Sequence, residues 1–181
     1  MSLIEKQKHH MDTKIATYSV PSQTRIGHIH LKVSNMERSL AFYCDLLGFK
    51  ETSRHGSRVV FISAGGYHHH IALTTWYSKD GKPPLPNNTG LSQASILYPT
   101  RKDLACILQR LMDVNYPISG ASDHGVSETL YIEDPDKNVI ALYWDKPYEE
   151  WPLHKDGSIE IYNVPLNIDE LLGCFTINLK H

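Results

Sequence analysis

The amino-acid sequence predicts an α+β fold in which two βαβββ units form a curved, mixed, eight-stranded sheet with helices on its outer face. Three observations predict it. One order of elements (a strand, a helix, then three strands) is written twice, at about residues 25–76 and 91–145. Each copy opens its helix with a cap pattern, Ser34-Asn35-Met36-Glu37 in the first and Thr100-Arg101-Lys102-Asp103 in the second. Each copy also closes on the same landmark, Ile71-Ala72-Leu73 ahead of Trp76 and Ile140-Ala141-Leu142 ahead of Trp144. One helix cannot cover both faces of a four-stranded sheet. Two units side by side solve this and leave a concave inner face of ligand size.

The elements follow in order. Ile26 to Val33 alternates and is rich in β-branched residues, so it reads as a strand. Ser34 is the expected cap, with Glu37 reaching back to it. Met36, Leu40, Tyr43 and Leu47 then recur at helical spacing, and Gly48 supplies the left-handed stop. Strands are expected at about 49–54, 58–64 and 68–75. On the last of these, strict alternation places His68 and His70 on one face and His69 on the other. In the second unit, Ser92 to Tyr98 reads as a strand and Leu104, Ile107, Leu108 and Leu111 form a helical stripe. Strands near 117–122, 127–133 and 138–144 complete it, the last two joined by the turn cluster Asp134-Pro135-Asp136-Lys137-Asn138. The proline-rich stretch from Ser78 to Gly90 is an extended connector between units. Residues 1–24 read as a polar arm, 25–150 as the paired domain and 151–181 as a tail.

Composition narrows the function classes. The 181 residues suit one compact domain, and 41% hydrophobic with 21% charged residues is ordinary for a globular chain. Eighteen basic against 20 acidic residues leave a net charge of −2, too balanced for a nucleic-acid or membrane-surface binder. No run approaches the ~18 apolar residues of a membrane span. The first twenty residues contain no apolar core of a secretory signal, so a cytoplasmic location is expected. Cys44, Cys106 and Cys174 have no metal-type spacing and read as free thiols. The 11 histidines are the one unusual number, which makes their placement the main question.

Three segments carry a family resemblance: Gly27-His28-Ile29-His30-Leu31-Lys32-Val33, the Ser39-Leu40-Ala41-Phe42-Tyr43 helix with Leu47-Gly48-Phe49, and Asp134-Pro135-Asp136-Lys137-Asn138. Together they resemble the vicinal oxygen chelate superfamily of glyoxalases, bleomycin-resistance proteins and extradiol dioxygenases. Gly66-Tyr67-His68-His69-His70-Ile71-Ala72-Leu73, the run from Gly120 to Glu128, and Leu142-Tyr143-Trp144-Asp145 look more specifically like the first half of a catechol 2,3-dioxygenase-like protein. Residues 155–172 resemble the linker ahead of a second pair of units.

The resemblance implies a site. Ring-cleaving members hold Fe(II) or Mn(II) with two histidines and one carboxylate, leaving positions for catecholate and oxygen. His28 falls at the first ligand position and Gln93 at the second, where close relatives carry histidine. Ala141 falls at the third in place of the family glutamate, so the metal set is incomplete. His69 matches the acid–base histidine, and His124 with Tyr131 match groups that hydrogen-bond the substrate. Each has a structural alternative: a hydrogen-bonded core histidine, a solvated strand, a turn residue or a packing tyrosine. His9, His10, His30, His55 and His154 carry no evident chemistry.

Three functions remain open. The first is extradiol cleavage of a small catechol-like aromatic substrate with O2. Another is a metal-free small-molecule binding module, or the structural half of a tandem dioxygenase. The third is a glyoxalase-type lyase, for which only Gln93 qualifies as a ligand. No nucleic-acid or membrane partner is expected, and the open sheet edges suit a homodimer.

Overall fold

The computed structural model describes residues 18–85 and 87–176. The chain is α+β, with the strand-helix-three-strand order present twice. Unit one contains β1 (Ile29–Lys32), helix α1, β2 (Lys50–His55), β3 (Val59–Ser63) and β4 (Ile71–Thr74). Unit two contains β5 (Ala94–Leu97), α2 (Arg101–Asp113), β6 (Gly120–Asp123), β7 (Ser127–Glu133) and β8 (Val139–Asp145). Hydrogen bonding divides the eight expected strands into two sheets of order β1-β4-β3-β2 and β5-β8-β7-β6. The sheets are mixed: β1 runs parallel to β4 and β5 to β8, and the other pairs are antiparallel.

Registers repeat along with the order. Ile29 lies opposite Ile71, and Ala94 opposite Ile140. The shared Ile-Ala-Leu landmarks therefore occupy the same place in each sheet. The same register makes Gln93 the counterpart of His28, and Ser95 the counterpart of His30.

The core lies between sheets and helices. Leu31, Val33, Ile71 and Leu73 turn one face of unit one inward, and Leu130, Ile132, Ile140 and Leu142 do the same in unit two. The stripe on α2 packs as expected, with Leu104, Leu108 and Leu111 fully buried. Thr100 caps α2 by accepting from the Asp103 N–H at 3.1 Å.

Helix α1 departs from expectation. It begins as α-helix Met36–Leu40 and continues as a π-helical turn Ala41–Leu46, ending before Gly48 at φ 88°. Its cap is Asn35, whose side chain accepts from the Arg38 N–H at 3.0 Å. Ser34 is instead drawn into a contact between units, donating its N–H and hydroxyl to Asp136, which also pairs with Arg38 at 2.6 Å. Tyr43 donates to Asp134 at 2.9 Å beside it, and burial followed by the Asp134 charge drives the phenol pKa far upward. These bonds, the Phe42–Tyr116 ring contact and the Arg110 bond to the Leu46 carbonyl fasten α1 of unit one to unit two.

Strand β4 starts at Ile71, and residues 64–70 form bends and a turn. The alternation expected across His68, His69 and His70 therefore does not apply.

Of the expected arm at residues 1–24, residues 1–17 lie outside the described residues and 18–24 are exposed. The tail contributes structure. Its β9 (Val164–Pro165) pairs antiparallel with β6, and α3 (Ile168–Thr176) packs on α2 with Leu171 fully buried. Cys44, Cys106 and Cys174 are free thiols. No described helix is long and apolar enough to cross a membrane.

Asp123, at the end of β6, accepts two bonds from Lys146 at 2.8 Å and one from the Gly125 N–H at 2.8 Å. Burial alone would raise its pKa, but the Lys146 ammonium and the amide outweigh burial and hold it below the ordinary aspartate value. A depressed folded-state pKa stabilises the fold fully above the unfolded value of about 3.9, and this is lost as pH falls through the folded one. Asp123→Asn should therefore lower the thermal midpoint at pH 7 and match the parent increasingly well as pH falls below 4. A gap that persists unchanged to the acid side counts against this linkage.

Candidate functional site

A cavity of about 220 Å³ opens on the face of unit two opposite its helix, lined by Gln93, Ser95, His124, Ser127, Thr129, Tyr131, Ala141 and Tyr143. Strand period builds it. Ile140 and Leu142 of β8 point into the core, so Ala141 and Tyr143 point away from it. Ser95 and Tyr131 flank Ala141 in register from the two neighbouring strands. Ala141 is 1% exposed and puts only a methyl group on the wall. Gln93 donates its amide to Ser95 at 3.2 Å. The volume lies below the ~300–1,000 Å³ of drug-sized pockets and suits a single ring.

The polar centre of this cavity is a held pair. His124 bonds the Tyr162 carbonyl through Nδ1 at 3.0 Å and the Tyr131 hydroxyl through Nε2 at 2.8 Å. A carbonyl only accepts, so Nδ1 carries the proton. In the neutral ring Nε2 is then the acceptor and Tyr131 donates to it. The hydroxyl oxygen of Tyr131 keeps its lone pairs for a second donor, and a phenolic hydroxyl is such a donor.

Gly125 makes this anchoring feasible. It adopts φ 81°, and a Cβ built on it would lie 2.7 Å from Tyr162 Cε1 and 2.8 Å from Pro152 Cγ. Only glycine lets the tail segment close onto the hairpin beside His124.

Unit one carries a separate group. His28, just ahead of β1, and His30 on it lie two residues apart, and the turn before β4 brings His69 against them. The ring of His69 lies 4.3 Å from His28, 6.0 Å from His30 and 4.8 Å from Phe61. His68 and His69 share a hydrogen bond between their Nδ1 atoms at 2.7 Å. His69 Nε2 is enclosed and has no hydrogen-bond partner among the described residues. Its enclosure, and then the neighbouring histidines, lower the His69 pKa.

The expected site residues thus fall into two places. His124 and Tyr131 meet in the unit-two cavity, and Gln93 and Ala141 share its wall. His28 and His69 are not among its lining residues and belong to the histidine group of unit one. His30 was missed, although its place two residues after His28 on a strand was the signal that both share a face. Tyr162 had no signal, because it reaches His124 only through the folded tail.

The model of the glyoxalase/bleomycin resistance protein/dioxygenase superfamily matches residues 25–142. A catechol-2,3-dioxygenase of Bacillus subtilis (strain 168) is 40% identical over 159 residues, covering 85% of this chain and 53% of that protein. The biphenyl-2,3-diol 1,2-dioxygenase 3 of Rhodococcus globerulus is 26% identical over 121 residues, covering 67% of this chain and 63% of its own length. The chain therefore spans about half to two-thirds of these curated relatives. Among solved structures, a glyoxalase/dioxygenase from Nostoc punctiforme superposes with a TM-score of 0.56 at 17% identity, covering 73% of this chain and all of that one. A lactoylglutathione lyase from Agrobacterium tumefaciens does so at 0.52 and 18% identity, covering 68% of this chain and 96% of its own. At such identities the likeness concerns the fold alone.

Proposed function

Because the chain belongs to the glyoxalase/bleomycin resistance protein/dioxygenase superfamily, we propose that it is a catechol 2,3-dioxygenase-like protein that receives a catechol-like aromatic diol in the unit-two cavity. The observation that carries this reading is the His124–Tyr131 pair, held at 2.8 Å beside the small Ala141 wall. Tyr131 accepts a hydrogen bond from a hydroxyl of the diol while donating its own to His124 Nε2, and Ser127 and Thr129 offer further hydroxyls; as the diol ionises, its proton passes to Tyr131 while the Tyr131 proton passes to His124. Imidazole suits that exchange because its ordinary pKa lies near neutrality.

The family ion, Fe(II) or Mn(II), does not fit this wall. Ala141 has no donor atom, Gln93 gives its NH2 to Ser95 and can offer only a neutral amide oxygen, and among the described residues no carboxylate lines the cavity. The imidazole that lines the cavity, His124, has both ring nitrogens engaged, by the Tyr162 carbonyl and the Tyr131 hydroxyl, so neither an anionic ligand nor a free imidazole is left for a hard or borderline dication. The cavity therefore has the groups to bind and orient a diol and lacks the set that would hold the ion there. This observation favours a second reading, a binding or structural half of a ring-cleaving protein in which O2 reacts elsewhere. A glyoxalase-type lyase has less support, since Gln93 is its one candidate ligand.

Calorimetric titration with catechol tests the proposal without needing turnover, and a ring-opening assay with added Fe(II) and air separates the two readings. Saturable binding is expected, weakened about tenfold or more by Tyr131→Phe and by His124→Ala, the worth of one good hydrogen bond. Unchanged affinity in both variants overturns the assignment of the cavity.

A further inference from the structure

The donors missing from unit two have a counterpart in unit one. The pseudo-symmetry pairs His28 with Gln93 and His30 with Ser95, so two imidazoles stand at the start of β1 where an amide and a hydroxyl stand in the second copy. His69 supplies a third. The parallel pairing of β1 with β4, extended by the Ile29 N–H bond to the His70 carbonyl at 3.0 Å, brings residues 68–70 alongside His28. One ligand atom from each of His28, His30 and His69 lies within 4.8 Å of the others.

The third ring is prepared for an ion. His69 Nδ1 is occupied by His68, and Phe61 lies against the ring. Nε2 is left enclosed and unpartnered. An orphaned N–H there would cost more than a lone pair, so the proton belongs on Nδ1, donated to His68. This is the arrangement of a metal-ligating histidine, whose second nitrogen donates to a neighbour that fixes its orientation. In a tetrahedral site with Zn–N of about 2.0–2.1 Å the nitrogens stand about 3.3 Å apart. His28 and His30 are exposed, and closure to that spacing requires their rings to turn by an ångström or so.

We propose that His28, His30 and His69 form a three-imidazole site for a late first-row divalent cation of the Zn(II) class. The donor set is neutral, which excludes the hard cations that need carboxylate oxygen, and three ligands leave a fourth position open to water or another small donor. The site is distinct from the diol cavity and does not rest on the diol reading.

Untagged protein, stripped of metal and titrated with Zn(II) and Co(II) against a chromophoric chelator, tests this. The parent should bind one equivalent, with Co(II) giving the intense visible band of a tetrahedral ion. His30→Ala and His69→Ala should each lose about 100-fold or more in affinity, above the ~10–100-fold that changes around a ligand cause. His30→Gln and His69→Gln, with circular dichroism of every metal-free variant, separate lost ligands from lost fold. His55→Ala and the pair His9→Ala with His10→Ala should bind as the parent does. Equal affinity in the His30 and His69 variants, or loss of the site with His9 and His10, overturns the proposal. So does parent affinity too weak to compete with the chelator.

Discussion

Replacing Arg101 with methionine is expected to lower the unfolding free energy by about 3–5 kcal/mol, the cost of breaking a buried ion pair from one side. Arg101 opens α2, and its Nε lies 2.7 Å from Glu128 on β7, whose side chain is 7% exposed. The same guanidinium reaches Glu170 at 3.1 Å and the Cys174 thiol at 3.3 Å on α3. The Glu128 bond, ahead of the other neighbours, drives the Arg101 pKa upward, so the group stays charged at every working pH. Removing it strands the Glu128 carboxylate away from water and unties the tail helix from the domain. Glu170 is 63% exposed, so its share is small. Urea denaturation at pH 7 measures the loss. Arg101→Met combined with Glu128→Leu should recover most of it, because the uncompensated charge goes with its partner. A single-variant loss below about 1 kcal/mol would sink the argument.

Tail docking bears on function because the tail carries Tyr162, and Tyr162 fixes His124. This dependence also marks how far the sequence could be read. The Thr100 cap was legible because both of its partners lie within four residues. Ser34 carried the same local signal and lost it to Asp136, 102 residues away, so a tertiary contact moved the cap to Asn35. His124 and Tyr131 were legible because the β6–β7 hairpin joins them over seven residues. The meeting of His28, His30 and His69 in unit one was not legible. Alternation assumes a strand, and the chain at 64–70 is a turn whose shape follows from β1 pairing with β4. The absence of a carboxylate at Ala141 was legible outright, since no packing can supply a donor that the residue lacks.

Gly125→Ala is the substitution expected to couple fold and site most strongly. Two costs add. A non-glycine residue at φ 81° bears about 1–2 kcal/mol of backbone strain. The new Cβ also meets Tyr162 Cε1, Pro152 Cγ and Tyr162 Cζ at 2.7, 2.8 and 2.9 Å, distances that real Cβ atoms do not keep. Relief requires the Tyr162 and Pro152 rings to shift, and we expect the 152–162 segment to follow them, carrying the Tyr162 carbonyl away from His124 Nδ1. His124 then loses the bond that fixes its tautomer and its aim at Tyr131. We expect stability to fall by about 2–4 kcal/mol, combining strain with lost packing, and catechol affinity to fall at least tenfold. The two costs separate experimentally. Gly125→Asn tolerates the backbone conformation better and keeps the clash, so it should recover stability in part and affinity hardly at all. Tyr162→Ala removes the obstructing ring and keeps the carbonyl, so Gly125→Ala should cost less in that background than alone. If the cost is the same with and without the Tyr162 ring, the segment does not act through that contact, and His124 must owe its orientation to something else.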